Sequence, residues 1–258
     1  MIAVVGALSL VWTPHDPLLV EGSRRLQGPS AELWFGTDRF GRDVFSRLMV
    51  GARTTLLVGV VAVGIAGVIG TPLGVLMGMG SRWIGETVMR LNDLLLAFPA
   101  LLLAVMFGAV YGSSTMTAMV AIGIASIPVF ARVARSGTLQ VMSSDYVLAA
   151  RSAGRGRFAI AVRHVLPNIS GLVIVQASVS FAIAVLAEAA LSFLGFGTQP
   201  PTPSWGRMLQ EAQELVAVRP FQAVAPGSAI ALAVLGFNLL GDGLRDRLDP
   251  RLDDRRGS

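Results

Sequence analysis

The chain has 258 residues, of which 53% are hydrophobic and only 14% charged, with a formal net charge of +5 and a mean hydropathy of +0.65. Because soluble domains carry about 25% charged residues, this composition excludes an ordinary soluble protein. Apolar runs of about 20 residues recur, and such runs cross a bilayer as helices because lipid leaves no backbone polar group unsatisfied. The alternation of a membrane β-barrel is missing. The sequence therefore predicts an all-α, polytopic membrane protein.

Two residue types are absent, and each absence excludes a class of chemistry. All 21 basic residues are arginine, which excludes a P-loop lysine and a Schiff-base lysine. The chain has no cysteine, which excludes disulfides, thiolate metal sites and thiol nucleophiles. Its two histidines, His15 and His164, lie far apart, and no HExxH or G-x-S-x-G motif occurs. We expect no catalysis, cofactor or metal in this chain.

Six hydrophobic segments are predicted along the chain, which corresponds to about six transmembrane helices. The first, Met1 to about Trp12, is too short to span a bilayer alone and lacks the basic start of a signal peptide. We interpret it as a helix whose start is missing from this chain or begins in the cytoplasmic headgroups. The remaining segments are expected at about 54–79, 91–110, 115–133, 169–193 and 221–240.

A polar stretch precedes the second segment and contains the string GTDRFGRDVFSR. We expect tight turns at Gly36 and Gly41. Acidic and basic side chains alternate here, and we expect them to pair: Asp38 and Asp43 with Arg39, Arg42 or Arg47.

The second segment carries a small residue every four positions. This ridge consists of Ala62, Ala66, Gly70, Gly74 and Gly78. Small residues at this spacing let another helix approach closely, so the pattern predicts tight helix packing along one face.

Two acids lie within or beside predicted spans, and each leaves two interpretations open. Asp93 is either a first-turn acid favoured by the helix dipole or a buried acid in a translocation path. Glu188 is either an interfacial acid facing a watery vestibule or an outer-gate contact or cation site. After it, Ser204 is predicted to cap a short amphipathic helix, placed at the outer interface or against a soluble partner.

The arginines favour one orientation. With the N-terminus inside, the loops at 80–90 and 131–168 and the tail hold 13 arginines, and the outer stretches hold 8. The predicted topology is therefore multi-pass with both termini cytoplasmic. This placement also explains the positive net charge, so we expect no nucleic-acid partner. We expect the charged tail, 242–258, to end in disorder.

The loop between segments four and five, YVLAARSAGRGRFAIAVRHVLPN, spans Tyr146 to Asn168. It predicts a helix of small residues from Tyr146 to Ala153 that ends at Gly154, then a second short helix, Arg157 to Val165. Spacing alone fits both an ordinary basic loop and a rigid basic element gripped by a peripheral subunit.

This loop resembles the cytoplasmic coupling loop of binding-protein-dependent ABC importers. That pattern is E-A-A, three residues, Gly, nine residues and x-x-Leu-Pro, and its matches here are Ala149, Ala150, Gly154, Leu166 and Pro167. Leu148 takes the place of the usual acid. The strings at 36–47, 187–206 and 241–251 are similar to markers of the dipeptide/oligopeptide permease subfamily, and the resemblance covers roughly 33–250.

The resemblance implies a C-type transmembrane subunit with the type I importer permease fold, in a bacterial cytoplasmic membrane. It implies a B-type permease partner, two ATPase subunits that bind ATP and Mg, and an extracytoplasmic binding protein. The chain would divide into a first helix and outer segment at 1–53, a permease core at 54–241 with the coupling loop at about 138–167, and a tail. The implied coupling residues are Ala149, Ala150, Gly154, Arg157, His164, Leu166 and Pro167, and the candidate path or gate residues are Asp93 and Glu188.

Two other functions are weighed against this one. A secondary carrier or channel independent of ATP often shows inverted repeats and several intramembrane charges, and neither is found. An enzyme with a membrane-embedded site lacks support, since no span holds paired catalytic carboxylates or histidines. The resemblance leaves the solute open among peptides, nickel, glutathione and other small solutes.

Overall fold

The computed structural model describes residues 2–248, without the side chains at 82, 84 and 248. These residues form helices whose connections are short except for the stretches 9–43, 194–204 and 213–220. No β-strand occurs among them beyond one isolated bridge between Thr37 and Asp43. A π turn, Ala161–Val165, joins the seventh helix to the eighth. The helices are α1 Ile2–Leu8, α2 Val44–Met79, α3 Arg82–Ala97, α4 Ala100–Tyr111, α5 Thr115–Met142, α6 Asp145–Ser152, α7 Arg157–Ile160, α8 Leu166–Phe193, α9 Trp205–Ala212 and α10 Phe221–Leu248.

Four helical stretches within residues 2–248 are long and apolar enough to cross a membrane. They are α2, α5, the run Arg157–Phe193 and α10 up to Arg247. A fifth crossing is available if α3 and α4 serve as one span. The all-helical membrane fold is confirmed, whereas the first predicted segment supplies only α1, whose seven residues rise about 10 Å against a hydrocarbon core of about 30 Å. The tail expected to be disordered lies, from residue 249 onward, outside the described residues.

The start of α2 lies ten residues before the predicted start of its hydrophobic segment. The Asp43 carboxylate caps this helix, because its Oδ2 accepts hydrogen bonds from the backbone N–H of Ser46 at 2.9 Å and from the Ser46 hydroxyl at 2.5 Å. The helix therefore begins in the polar string and carries Arg47 within its first turns. Hydropathy located only the apolar part of this helix.

The predicted third span is broken where Phe98 precedes Pro99. Phe98 takes an extended conformation with ψ of 124°, as expected of a residue before proline, and α3 and α4 meet at a bend of 80°. Because α3 begins at Arg82, Asp93 lies in its second half rather than in its first turn. The helix-capping interpretation of Asp93 is therefore wrong.

The chain divides into two compact units, each assembled from separate stretches. The first contains residues 2–61, 101–122 and 182–235, and the second contains 62–100, 123–181 and the described part of 236–258. The predicted ridge of small residues lies in the second unit, where α2 packs against α5. A Cβ atom added at Gly74 would lie 2.4 Å from the Ala131 carbonyl oxygen and 2.6 Å from the Ala134 Cβ.

We expect Gly74→Leu to destabilise the second unit, since the ridge has no room for a side chain and the nearest atoms are backbone atoms of α5. Overpacking of this kind costs about 1–3 kcal/mol. Thermal unfolding in detergent measures the loss. Gly64→Leu is the matched control, because a Cβ at Gly64 meets no atom within 4 Å. Equal melting temperatures for the two variants would contradict tight packing at Gly74.

In the first unit, α9 is wedged between α2 and α8. Ser204 caps it by accepting a hydrogen bond from the Arg207 N–H at 3.2 Å, which confirms the predicted cap. Trp205 is buried, and its indole N–H donates to the Leu48 carbonyl at 3.0 Å. A Cβ at Gly206 would lie 2.2 Å from the Ala189 carbonyl oxygen. The apolar face of α9 is thus packed against α2 and α8, and its predicted place at the outer interface or against a soluble partner stays a prediction.

Candidate functional site

The loop Tyr146–Asn168 folds as one short helix, α6, a sharp turn at Gly154, and the beginning of the continuous helical run Arg157–Phe193. The predicted separate second helix, Arg157 to Val165, is wrong, because the chain continues through the π turn into α8 without a break. At the end of α6 the Gly154 N–H donates to the Arg151 carbonyl and the Arg155 N–H donates to the Ala150 carbonyl, at 3.0 and 3.1 Å. These two hydrogen bonds form a Schellman motif, in which the residue after the cap needs a positive φ. Gly154 has φ of +78°, so glycine satisfies the turn without strain. The predicted end of the first helix at Gly154 is confirmed.

The inner face of this loop is anchored in the second unit by a row of aliphatic residues. Each part of the loop contributes one buried side chain to a common cluster, which also receives residues from α2 and α5. The cluster consists of Val75, Ala134, Val147, Ile160, Val165 and Ile169, and all six are at most 5% exposed. Displacing α6 or α7 relative to α2 and α5 would expose this cluster, so burial of these side chains holds the loop against the two helices.

The outer face of the loop is open. Phe158 is 82% exposed and Leu148 is 48% exposed, although both are large apolar side chains. A Cβ at Gly154 or Gly156 would meet no atom within 4 Å. Of the predicted coupling residues, the exposed ones are Ala149, Gly154, Arg157, Leu166 and Pro167, and the partly buried ones are Ala150 and His164.

His164 holds the start of α8 against α6. Its ring centroid lies 6.0 Å from that of Tyr146, and its backbone carbonyl accepts a hydrogen bond from the Asn168 side-chain amide at 2.6 Å. The half-buried imidazole therefore lies against Tyr146 at the start of the loop, whereas the backbone carbonyl of the same residue binds Asn168 at its end. The role of His164 in coupling stays a prediction.

The basic side chains of the loop are unpaired. Within residues 2–248, Arg151, Arg155, Arg157 and Arg163 make no ion pair, and all four are exposed. The sequence from Tyr146 to Ala187 contains no acidic residue. The loop thus presents four exposed arginines, and the acid nearest to it in sequence is the exposed Asp145 at the start of α6.

A cavity of about 840 Å³ lies in the second unit beside the loop. Tyr146 and Ser144 line it from the loop side, whereas Gln140, Gln176 and Arg245 line it from α5, α8 and α10. One wall of the cavity is therefore part of the same segment that carries the exposed arginines. A displacement of α6 changes the shape of the cavity directly.

The two acidic candidates lie in separate units. Asp93 forms an ion pair with Arg132 of α5 at 2.8 Å, and both side chains are about half exposed. Glu188 is fully buried in the first unit, where its Oε1 accepts hydrogen bonds from the hydroxyls of Ser192 at 2.6 Å and Thr198 at 3.2 Å. Within this chain Glu188 fastens the connection that follows α8. The assignment of both acids to a path or gate stays a prediction.

A buried ion cluster in the first unit is the polar feature that sequence analysis identified only in part. Asp38 Oδ2 lies 2.7 Å from Arg42 Nε and 2.5 Å from Arg47 Nη1, which confirms two of the expected pairs. Glu211 of α9 completes the cluster, at 2.7 Å from Arg42 and 2.8 Å from Arg47. The expected pairing of Asp43 with arginine is wrong, since Asp43 caps α2 instead.

The sequence did contain a signal for a second acid in this cluster, because Arg42 and Arg47 are two arginines and Asp38 is a single acid. Asp38 alone leaves one positive charge uncompensated, and a buried charge without a partner is costly. The choice of Glu211 over Glu214 depends on the packing of α9, because Glu214 instead meets Arg39 with 78% of its side chain exposed. Within residues 2–248, no group of three or more His, Asp or Glu residues has the arrangement needed to hold a metal ion.

Comparison with known proteins identifies relatives for most of the chain. Residues 70–254 match the family model described as binding-protein-dependent transport system inner membrane component. The dipeptide transport system permease protein DppC of Alkalihalophilus pseudofirmus is 46% identical over 230 residues, covering 89% of this chain and 76% of the relative. The glutathione transport system permease protein GsiD of Pectobacterium atrosepticum is 45% identical over 226 residues, covering 88% and 75%.

Solved structures share the fold. An inward-facing conformation of the MetNI methionine ABC transporter superposes with a TM-score of 0.67 and 18% identity, over 79% of this chain and 96% of that chain. An amino acid ABC transporter solved with histidines gives a TM-score of 0.60 and 18% identity, over 78% of this chain and 94% of that chain. At this identity the likeness establishes the fold.

Proposed function

The chain belongs to the family of binding-protein-dependent transport system inner membrane components and is a permease subunit of such an importer, and we propose that its loop Tyr146–Asn168 receives force from an ATPase subunit. One observation carries the proposal: the loop is packed into a buried cluster on its inner face and exposed on its outer face. A segment with those two properties transmits a push from a peripheral protein into the helices behind it.

The route of that push follows the packing of the second unit. Val147 and Ile160 lie in the same buried cluster as Val75 of α2 and Ala134 of α5. The small ridge then fixes α2 against α5 with no free space between them. Movement of the loop is therefore passed to two membrane-spanning helices and to the wall of the 840 Å³ cavity at Tyr146.

The partners follow from this role. We propose that the chain forms a heterodimer with a B-type permease, that two ATPase subunits bind ATP and Mg, and that an extracytoplasmic binding protein delivers the solute. The membrane is the bacterial cytoplasmic membrane, with the loop and both termini on the cytoplasmic side. The excess of arginine in the loops assigned to that side supports this orientation. Asp93 and Glu188 remain candidates for the path or gate.

The cargo class is a small peptide. Two relatives at 45–46% identity carry the names of a dipeptide permease and a glutathione permease, and glutathione is itself a tripeptide. A backbone with a free carboxylate and amide groups is common to both. We therefore propose di- and tripeptides as the solutes, selected by the binding protein before they reach this chain.

Reconstitution of the complex in lipid vesicles tests the function and the orientation together. We expect uptake of a labelled dipeptide to require ATP on the side that bears the loop and binding protein on the other side. In vesicles that hold the two permease subunits without the ATPase, a single cysteine at Ser152, in a chain that has none, should react with an impermeant thiol reagent only from the side at which the ATPase binds. Uptake without ATP would instead support a secondary carrier, and labelling from the binding-protein side would invert the topology.

A further inference from the structure

We infer that the ATPase surface that receives this loop is an acidic groove with an apolar recess for Phe158. The inference rests on the proposed function and adds the chemistry of the partner surface. It concerns only the outer face of the loop, defined by Leu148, Arg151, Arg155, Arg157, Phe158 and Arg163, and it is independent of the transported solute.

The charges of this face require carboxylates on the partner. Its four arginines make no ion pair within residues 2–248, and no acid occurs between Tyr146 and Ala187. A protein that covers arginines without supplying acidic side chains buries uncompensated charge, which is strongly unfavourable. The partner groove therefore carries aspartate or glutamate opposite the arginines.

Phe158 supplies the apolar part of the contact. It projects from α7 with 82% of its surface exposed, while Ile160, two residues on, is fully buried and fixes the helix that carries it. Val162, four residues after Phe158, is also 49% exposed. An aromatic side chain on a rigid element is typical of an interface anchor that fills a pocket on the partner.

The shape of the face favours a protein groove over lipid headgroups, which are the other negatively charged surface at a membrane. Between Arg151 and Arg157 the residues other than arginine are small, and a Cβ at Gly154 or Gly156 meets no neighbour within 4 Å. The Schellman motif at Gly154 fixes the backbone there at φ of +78°. Lipid contact requires neither small residues nor a fixed backbone, whereas a close-fitting protein groove requires both.

The experiment uses the full chain coexpressed with its permease partner and its ATPase subunits, and it measures how much ATPase copurifies. We expect the double variant Arg155→Glu, Arg157→Glu to lower ATPase recovery about tenfold or more, and the corresponding double glutamine variant to lower it less. Recovery of the wild-type complex should fall with added salt, because exposed ion pairs are screened. Arg219→Glu is the matched control, since this arginine is exposed but lies in the first unit.

A photoreactive benzoylphenylalanine at position 158 identifies the surface directly. We expect cross-linking to an ATPase peptide that contains aspartate or glutamate. Phe158→Ala should reduce ATPase recovery more than Phe158→Leu, because leucine still fills an apolar recess.

The outcomes separate this inference from the function on which it rests. If Gly154→Trp abolishes ATPase binding while the charge-reversed variant binds normally, the coupling role stands and the acidic groove is overturned. If position 158 cross-links only to lipid, and charge reversal alters only the binding of the complex to phosphatidylglycerol vesicles, the face is lipid-facing and the inference is likewise overturned. If none of these variants changes ATPase binding or uptake, both proposals fail.

Discussion

Gly154→Trp and Ala149→Arg are each expected to abolish ATP-driven uptake while leaving membrane insertion normal. Both positions are exposed and lie outside the spanning helices, so the added side chains meet open space within this chain. In the assembled complex the same space is expected to be filled by an ATPase subunit. Tryptophan at position 154 also has to adopt φ of +78°, which costs about 1–2 kcal/mol for a residue with a Cβ.

Uptake, ATP hydrolysis and ATPase recovery are measured together for these variants. Gly154→Asn is the matched control, because asparagine tolerates the left-handed conformation and adds little bulk. Ala149→Ser and Leu148→Glu, which restores the acid usual in similar loops, should retain most uptake. Wild-type uptake in both bulky variants would show that the loop does not couple hydrolysis to transport, and would remove the main support for the proposed mechanism.

Glu211→Ala is expected to cause a large loss of stability. Glu211 shares the buried ion cluster with Asp38, Arg42 and Arg47, whose side chains are at most 9% exposed. Its removal leaves two arginines with one acid, and breaking a buried pair in this way costs about 3–5 kcal/mol. The cost is large because the remaining positive charge has no water to solvate it.

Thermal unfolding in detergent measures this effect against Glu214→Ala. Glu214 pairs with Arg39, yet 78% of its side chain is exposed, so its loss should cost about 0–1 kcal/mol. The two glutamates lie three residues apart, so the comparison sets a buried ion cluster against one exposed ion pair in the same part of the chain. Similar melting temperatures for the two variants would mean that the cluster is solvated and does not stabilise the first unit.

Local features of the chain could be predicted because each depends on neighbouring residues. The apolar runs identify spans by length and composition. The end of α6 follows from one glycine at the position where the Schellman motif requires a positive φ. The spacing of Gly70, Gly74 and Gly78 predicts a close helix contact for the same reason, since a repeat of four places all three on one helix face.

The ends of the helices were predicted less well, because hydropathy does not detect capping. The carboxylate of Asp43 starts α2 within a polar string, and Pro99 divides a continuous apolar run into α3 and α4. Both effects are local hydrogen-bonding or steric events within an otherwise unchanged hydrophobic pattern. Helix ends predicted from capping residues and prolines, in addition to hydropathy, would lie closer to those of the structure. The 80° bend between α3 and α4 depends on packing.

The sequence by itself therefore determined the class of protein, its family resemblance and the position of the basic loop, since these are properties of order and composition. Only the tertiary structure decided which partners meet: the ridge of α2 against α5, Arg42 with Glu211 at a separation of 169 residues, and Asp93 with Arg132. It also decided that the loop is buried on one face and open on the other. Such contacts depend on the relative placement of segments that are distant in sequence. Several acids and arginines are chemically equivalent as partners, and only the packing of the helices determines which of them are close enough to pair.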